Sequence, residues 1–489
     1  MIRCFLIHSH VSSVLLLATL VPLVKNKLGS LTSSKNYRSI SISSLILKII
    51  DWLIILLFGV SLELDDLQFS YQPNCSTTMC TWLLVETISY FLKNGSEVFS
   101  CMCDMTKAFD LVKHSVLFRK LIDKGLSLVF VRLLLAMYAL QTANVRWNNK
   151  FSEEFPLSNG VKQGAVLSAI LYCVYMNGLF EKLRENKIGC WIAGDYLGIL
   201  GYADDNFLLS PSIEGLQSML KTCEEYAEEH NLIFSTDPDP AKSKTKCMAF
   251  LLKERSLEKL TLCGNPLGWV NHGKHLGNKI TNDISGLMKQ DIIEKRAKFI
   301  ARNNEICQEF YFAHPRTKLH INNVYNSHFY GSPLWDLCCQ ETSMISNSWN
   351  TSFRKMFDIP RDSHRYLVEA VSDSKHLWTS IVKRFLSFCD QIRKSKKIAL
   401  NNVFRTIEHD TRSITGSNLR HIMIKAKKNF IKDLNPFEDG DLSFCEIPDS
   451  EKWRVGLIHE ITDVKFGSST VNGFSHEELN DMLSSVCSN

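Results

Sequence analysis

At 489 residues the chain has room for two to four domains, and a hydrophobic content of 45% supplies real cores, which excludes a disordered or low-complexity protein. A net charge of +5 is too mild to mark a nucleic-acid binder by itself, so the distribution of charge says more than its sum. Sixteen cysteines are scattered along the chain with no Cys-x-x-Cys, and neither Cys101-Met102-Cys103 nor the adjacent Cys338-Cys339 has zinc-ligand spacing, which speaks against a disulfide framework and a zinc motif and points to reduced, intracellular thiols.

Two apolar stretches open the chain. Val11 to Val24 has the look of a signal-peptide core, and Leu45 to Leu62 has the length of a membrane span. The first runs straight into Pro22-Leu23-Val24-Lys25, and the second is interrupted near its middle by Lys48 and Asp51, each costly in lipid. Both are read as buried elements, with membrane anchoring as the competing reading that carbonate extraction would separate. Further along, Val98-Phe99-Ser100-Cys101-Met102-Cys103 is short, apolar and rich in strand formers, so it predicts a buried strand with Asp104 at its C-terminal end. Leu117 to Leu140 reads as helices, and Asn144–Trp147 with Phe151–Leu157 as a hairpin around Asn148-Asn149-Lys150. Gly160-Val161-Lys162-Gln163-Gly164 reads as a loop, followed by an apolar helix reaching Leu183.

Next comes Leu197 to Leu209, two apolar runs flanking Tyr202-Ala203-Asp204-Asp205, which predicts a tight hairpin with two carboxylates at its tip. Ile213 to His230 is a helix with a polar face, Pro238 and Pro240 break the chain, Met248 to Leu252 is a strand, and Ile284 to Glu309 has helical periodicity. Aromatic residues then recur at Tyr311, Phe312, Tyr325, Phe329, Tyr330 and Trp335, read first as core and second as base-stacking platforms. Residues 281 to 432 are basic, with clusters at Arg393-Lys394-Ser395-Lys396-Lys397 and Lys425-Ala426-Lys427-Lys428, and from Leu434 the balance turns acidic. The basic segment suits nonspecific contact with a nucleic-acid backbone, and solvated helix faces are an equal reading.

The chemistry lies in the acids. Strands ending at Asp104 and turning at Asp204-Asp205, laid side by side, would group three carboxylates. Such a group can hold two divalent cations roughly 3.5–4 Å apart, the layout for in-line phosphoryl transfer. Mg²⁺ suits it, because Mg²⁺ prefers a few carboxylates plus substrate phosphates to an all-protein cage; Mn²⁺ is the alternative. A loop bracketed by Gly160 and Gly164 lets backbone approach a nucleotide closely, with Gln163 placed to hydrogen-bond it.

In this order Asp104…Phe109-Asp110, Gly160-Val161-Lys162-Gln163-Gly164…Leu167-Ser168 and Tyr202-Ala203-Asp204-Asp205 resemble reverse transcriptase motifs A, B and C. The wording is most similar to the non-long-terminal-repeat (LINE-like) retrotransposons. Asn36-Tyr37-Arg38-Ser39-Ile40-Ser41 resembles that group's fingers motif, Gln68-Phe69-Ser70-Tyr71-Gln72-Pro73 its following segment, Lys244-Thr245 motif D, and His275-Leu276-Gly277 the primer-grip hairpin. The resemblance runs from about Val21 to Ile280.

It implies Asp104, Asp204 and Asp205 as metal-binding acids and Phe109 as the bulky gate against a ribose 2′-OH. Gln163 and Gly164 would lie against the incoming nucleotide with Tyr202, and Arg38 would grip triphosphate, which a guanidinium suits. Lys244 would protonate pyrophosphate, with Lys242 and Lys246 as rivals. Asp110, one residue past the gate, takes a structural role and no metal. Three departures stand out: Ser39 and Ala169 replace prolines, the latter expected at the start of the motif B helix, and Gln72 replaces a basic contact.

The implied fold is α+β, a right-hand polymerase with fingers, a palm built on an antiparallel sheet with helices on one face, and a helical thumb. The expected segments are 1–95 fingers, truncated at the N-terminus; 96–280 palm with inserted fingers elements; 281–345 helical thumb; 346–432 basic helical region; 433–489 acidic tail. With no room for an endonuclease before Val21 and no ribonuclease H acids after residue 345, the chain reads as the polymerase part of a larger open reading frame. The expected activity is RNA-directed DNA polymerisation by two-metal nucleotidyl transfer, with an RNA template, a DNA primer and dNTPs as partners, inside the cell in nucleus or cytoplasm. The alternative is an inactive relic or co-opted nucleic-acid-binding protein; the intact acids count against it and the abrupt N-terminus for it.

Overall fold

The computed structural model describes residues 5, 7, 8, 11–326, 329–361 and 377–428; the acidic segment expected over 433–489 and the side chains of the 425–428 lysine cluster lie outside the described residues. The chain divides into two compact units, one of residues 1–80, 95–270 and 397–399, the other of residues 81–94, 271–396 and 400 onward.

The first unit is built on two five-stranded sheets. Val98–Cys103 is the predicted strand to the residue, and all of it but Met102 is buried, as its unbroken apolar run requires of a strand covered on both faces. It lies at the centre of a five-stranded sheet, antiparallel to Asp205–Ser210 on one side and Lys246–Phe250 on the other. Ile199–Tyr202 closes one edge antiparallel to Asp205–Ser210, and Gly268–Trp269 the other edge, parallel to Lys246–Phe250. The Ile213–His230 helix packs against the two central strands. Ser212 caps it by accepting the Gly215 N–H at 3.0 Å, and Asn231 ends it in the left-handed region at φ +54°.

In the second sheet Tyr37–Ile42 runs antiparallel to Leu17–Val24, which runs parallel to Thr142–Trp147. The Val11 to Val24 stretch is therefore mostly strand. The expected hairpin turns at Asn148 and Asn149, both with positive φ, and pairs Arg146 with Phe151.

The Val166–Glu185 helix packs on Leu45–Phe58, His114–Asp123 and Ile213–His230. It is the one helix among the described residues long and apolar enough to cross a membrane, and 67% of its apolar window is buried. It begins at Val166, so Ala169 sits in its fourth position and not, as the motif suggested, at its start. Its N-cap, Ala165, has no side chain to offer, and Asp51 serves instead: its carboxylate accepts the Leu167 N–H at 3.4 Å. Asp51 is buried, and that burial pushes its pKa up to about 6 against the pull of these N–H groups and of Lys162. The charge that interrupts the Leu45–Leu62 stretch is thus a helix cap.

The second unit carries the expected hairpin, His272–His275 against Asn278–Thr281, turning at Leu276 and Gly277, both with positive φ. Helices follow at Lys289–Glu309, Pro315–Tyr325, Gln340–Phe357 and Leu377–Arg393. Of the aromatic series only Phe329 and Trp335 are core; Tyr311, Phe312 and Tyr325 are more than two-thirds exposed, so the core reading fails for them. The Arg393–Lys397 cluster is not one solvated face either. Arg393 pairs with Glu408, Lys394 with Asp390 at 2.8 Å, and Lys397 is buried.

Candidate functional site

Asp104 leaves the end of the central strand, and the register sets its neighbour Cys103 opposite Asn206. Tyr202 pairs with Asp205, leaving Ala203 and Asp204 as a two-residue turn. Ala203 takes φ +58°, a conformation that glycine normally supplies at the first turn position and that costs an L-residue about 1–2 kcal/mol.

That turn is held from outside by a segment whose resemblance to a family motif gave it no role. The Ala203 N–H donates to Gln68 Oε1 at 3.0 Å and to Ser70 Oγ at 2.9 Å. Phe69 N–H donates to the Gly201 carbonyl and Gly201 N–H to the Leu67 carbonyl, each at 2.9 Å, so residues 67–69 lie along the outer strand as an added rung. Gly201 has no room for a side chain: a Cβ would stand 2.5 Å from Phe180 Cζ and 2.8 Å from Asn206 Oδ1.

The acids are crowded. Asp205 keeps a face open to solvent, yet the protein behind it, together with Asp204 and Asp104, pushes its pKa up to about 6. Burial and Asp104 also raise Asp204, and Arg38 partly offsets this. Asp104 Oδ2 is shielded from solvent and accepts no hydrogen bond; the Lys244 ammonium stands 3.6 Å from it as an ion pair. Three mutually repelling carboxylates with an orphaned oxygen are what a hard divalent cation would relieve. Among the described residues no three His, Cys, Asp or Glu side chains converge tightly enough to hold an ion alone. Of the three lysines, Lys242 pairs with Asp239, and Lys246 donates to the carbonyls of Pro240 at 2.6 Å and Ala241 at 3.0 Å. Lys244 is the one turned to the acids.

The glycine loop closes the other side. Phe109 stacks on Tyr172 with ring centroids 4.7 Å apart. Val161 N–H donates to the Phe109 carbonyl at 2.8 Å, Gly160 N–H to that of Val112 at 2.9 Å, and His114 Nε2 reaches the Gly160 carbonyl at 2.8 Å. Ser41 N–H donates to the Gln163 carbonyl at 2.8 Å, and a Cβ on Gly164 would stand 2.9 Å from the Ser41 carbonyl oxygen. The loop is thereby stitched to the strand that carries the exposed Arg38. The predicted residues Arg38, Asp104, Phe109, Gln163, Gly164, Tyr202, Asp204, Asp205 and Lys244 all fall in the first unit, on the hairpin, the glycine loop and the elements that abut them. The Gln72 side chain donates to the Gln68 carbonyl at 2.6 Å, so where a basic contact was expected it braces the turn's support. Sequence reasoning missed Gln68, Ser70 and Asp51, whose roles depend on partners more than a hundred residues away.

The model of the reverse transcriptase (RNA-dependent DNA polymerase) family matches residues 24–279, more than half of the chain. The chain is 23% identical over 228 residues to the Retrovirus-related Pol polyprotein from type-2 retrotransposable element R2DM of Drosophila melanogaster, covering 47% of this chain and 21% of that protein. It is 26% identical over 249 residues to the corresponding type-1 element R2 polyprotein of Nasonia vitripennis, covering 49% and 24%. It is 23% identical over 322 residues to the Probable RNA-directed DNA polymerase from transposon X-element of Drosophila melanogaster, covering 62% and 33%. The chain thus spans about a fifth to a third of the length of these relatives.

Proposed function

This chain belongs to the reverse transcriptase (RNA-dependent DNA polymerase) family, and on that premise we propose that it is the RNA-directed DNA polymerase of a non-LTR retrotransposon. The observation that carries the reading is the hairpin that aims Asp204 and Asp205 beside the end of the Asp104 strand, with the pKa of both hairpin acids raised. Two divalent cations bound by Asp104, Asp204 and Asp205 would activate the primer 3′-oxygen and take up charge on the triphosphate.

The remaining roles belong to the chain's own groups. Arg38, whose charge reaches Asp204, would bind the phosphates by its guanidinium fork. Phe109, fixed in place by its stack on Tyr172, would occupy the space of a 2′-OH and so select deoxyribonucleotides. Gln163 and Gly164 would lie against the nucleotide, and Tyr202 would border it at the hairpin. Lys244, turned to the acids, would hand its proton to the departing pyrophosphate. In this reading the Val98–Cys103 sheet is the palm and the Leu17–Val24 sheet belongs to the fingers. The helices after residue 280 are the thumb and basic region that hold an RNA template paired with a DNA primer. The work is intracellular, in nucleus or cytoplasm.

The test is primer extension by the purified chain on an RNA template with dNTPs and Mg²⁺, or Mn²⁺ in parallel. Template-length DNA is expected from the native chain and none from Asp204→Asn, whose melting temperature should be equal or higher because a like-charge repulsion is gone. A folded native chain that extends nothing with either ion would leave a nucleic-acid-binding relic. Extension by Asp204→Asn at the native rate would remove that carboxylate from the chemistry.

A further inference from the structure

The support of the catalytic turn itself rests on a residue from far along the chain. Lys397 is 5% exposed, and its ammonium donates to the carbonyl of Gln68 at 2.9 Å and to that of Asp65 at 3.0 Å, while standing 5.5 Å from the centre of the Phe69 ring. The two residues after it are anchored to the same segment: Ile398 N–H and Ala399 N–H donate to the two carboxylate oxygens of Asp66, at 3.1 and 2.7 Å. Gln68 is thus gripped at one end by Lys397 through its carbonyl, and at the other its Oε1 accepts the Ala203 N–H and both the N–H and O–H of Ser70.

We propose that Lys397 is a positioning residue for the Asp204–Asp205 turn, acting through Gln68. The physical reason is that two buried carbonyls point their negative ends at one spot. An ammonium with three donors serves both, whereas an apolar side chain leaves the Gln68 oxygen with the Gln72 amide alone and the Asp65 oxygen with the Gln68 N–H at 3.1 Å and a long 3.5 Å contact from that same amide. The strain this creates is relieved by movement of residues 65–68, and the Oε1 that holds Ala203 moves with them. Ala203 sits in a left-handed conformation that needs that hold. The consequence for catalysis rests on the proposed polymerase reading; the hold on the turn does not.

The experiment pairs amide hydrogen exchange with primer extension, on the full chain. In Lys397→Met the amides of residues 199–206 should exchange about tenfold faster, with exchange in the Ile213–His230 helix unchanged. The extension rate should fall about tenfold with the apparent KM for dNTP and the affinity for primer–template within twofold of native. Half-maximal rate should need several times more Mg²⁺. Lys394→Met and Lys396→Met, neighbours of the same charge, should leave exchange at residues 199–206 at the native rate, whatever they do to primer–template affinity. Lys397→Gln, which keeps two N–H donors on a shorter, uncharged side chain, should fall between native and Lys397→Met and serves if the methionine variant does not fold. Gln68→Ala should loosen the same amides, and the double variant should be no worse than the more severe single one. Unchanged exchange at 199–206 in a folded Lys397 variant overturns the proposal, as does faster exchange there matched by the Lys394 and Lys396 variants. If the native chain extends no primer the polymerase reading fails, and the exchange arm still decides the role of Lys397.

Discussion

Gly160→Ala tests whether the glycine loop is fixed against the backbone of Phe109 and Asp110. Gly160 has φ +84°, and a Cβ there would stand 2.8 Å from the Asp110 carbonyl oxygen, 2.9 Å from Asp110 Cα and 3.0 Å from the Phe109 carbonyl oxygen. These are backbone atoms and cannot rotate away. The left-handed conformation alone costs an alanine about 1–2 kcal/mol, and overpacking against unyielding atoms adds about 1–3 kcal/mol. Gly194 is the internal control: its φ is +88°, and a Cβ there meets nothing within 4 Å. Gly194→Ala therefore carries the first cost only. Both variants stiffen the unfolded chain equally, by about 0.4–1 kcal/mol, so that effect cancels in their difference. Urea titrations of the two variants should differ by about 1–3 kcal/mol, with Gly160→Ala the weaker. Because the clash falls on the backbone of Phe109 and Asp110, Gly160→Ala should also change the ratio of ribonucleotide to deoxyribonucleotide incorporation, and Gly194→Ala should not. Equal stability losses would mean that the loop yields freely and is not fixed against the motif A segment.

Asp205 gives a pH-dependent prediction. Its pKa is raised from 3.8 to about 6, so below pH 4 both folded and unfolded chains hold the proton and it contributes nothing. Between pH 4 and 6 the unfolded chain releases the proton first, so stability is lost as pH rises, and above pH 6 the loss is constant. The full conversion is about 3 kcal/mol, and the open face of Asp205 reduces it through solvent screening to about 1–1.5 kcal/mol. Asp205→Asn should be more stable than native by that amount at pH 8 in EDTA and equal at pH 3.5, read by thermal melting; a gap that does not change with pH would show that the acids do not repel. For sugar selection, Phe109→Val should admit ribonucleotides in primer extension while melting lower, since the ring also stacks on Tyr172. An unchanged ribonucleotide ratio in the folded variant would make Phe109 a core aromatic alone.

How much of this was legible in the sequence depended on how local the cause was. Val98–Cys103 and Ile213–His230 were predicted to the residue because apolar continuity in one and a polar face in the other are written within a few positions. The order of the acid, glycine and acid motifs was enough to foresee the hairpin and the loop, but not that the hairpin turn, with Ala203 at positive φ, is held from outside by Gln68 and Ser70. The start of the Val166–Glu185 helix was misjudged because its cap comes from Asp51, 116 residues away, in a stretch whose charge looked only like an interruption.

The lysines divide on the same line. By composition Lys397 belonged to a basic cluster suited to phosphate, and no periodicity separates it from Lys396. What separates them is that Lys397 is buried among carbonyls 329 and 332 residues earlier in the chain. A charged side chain is almost never buried without partners, so its burial is itself the evidence of a specific contact. That evidence exists only once the fold has brought the two segments together. A sequence can therefore name the groups that do chemistry, whose spacing is short and whose types are restricted. The groups that hold them still are chosen by whatever element packs behind, and here that element arrives after most of the chain has been read.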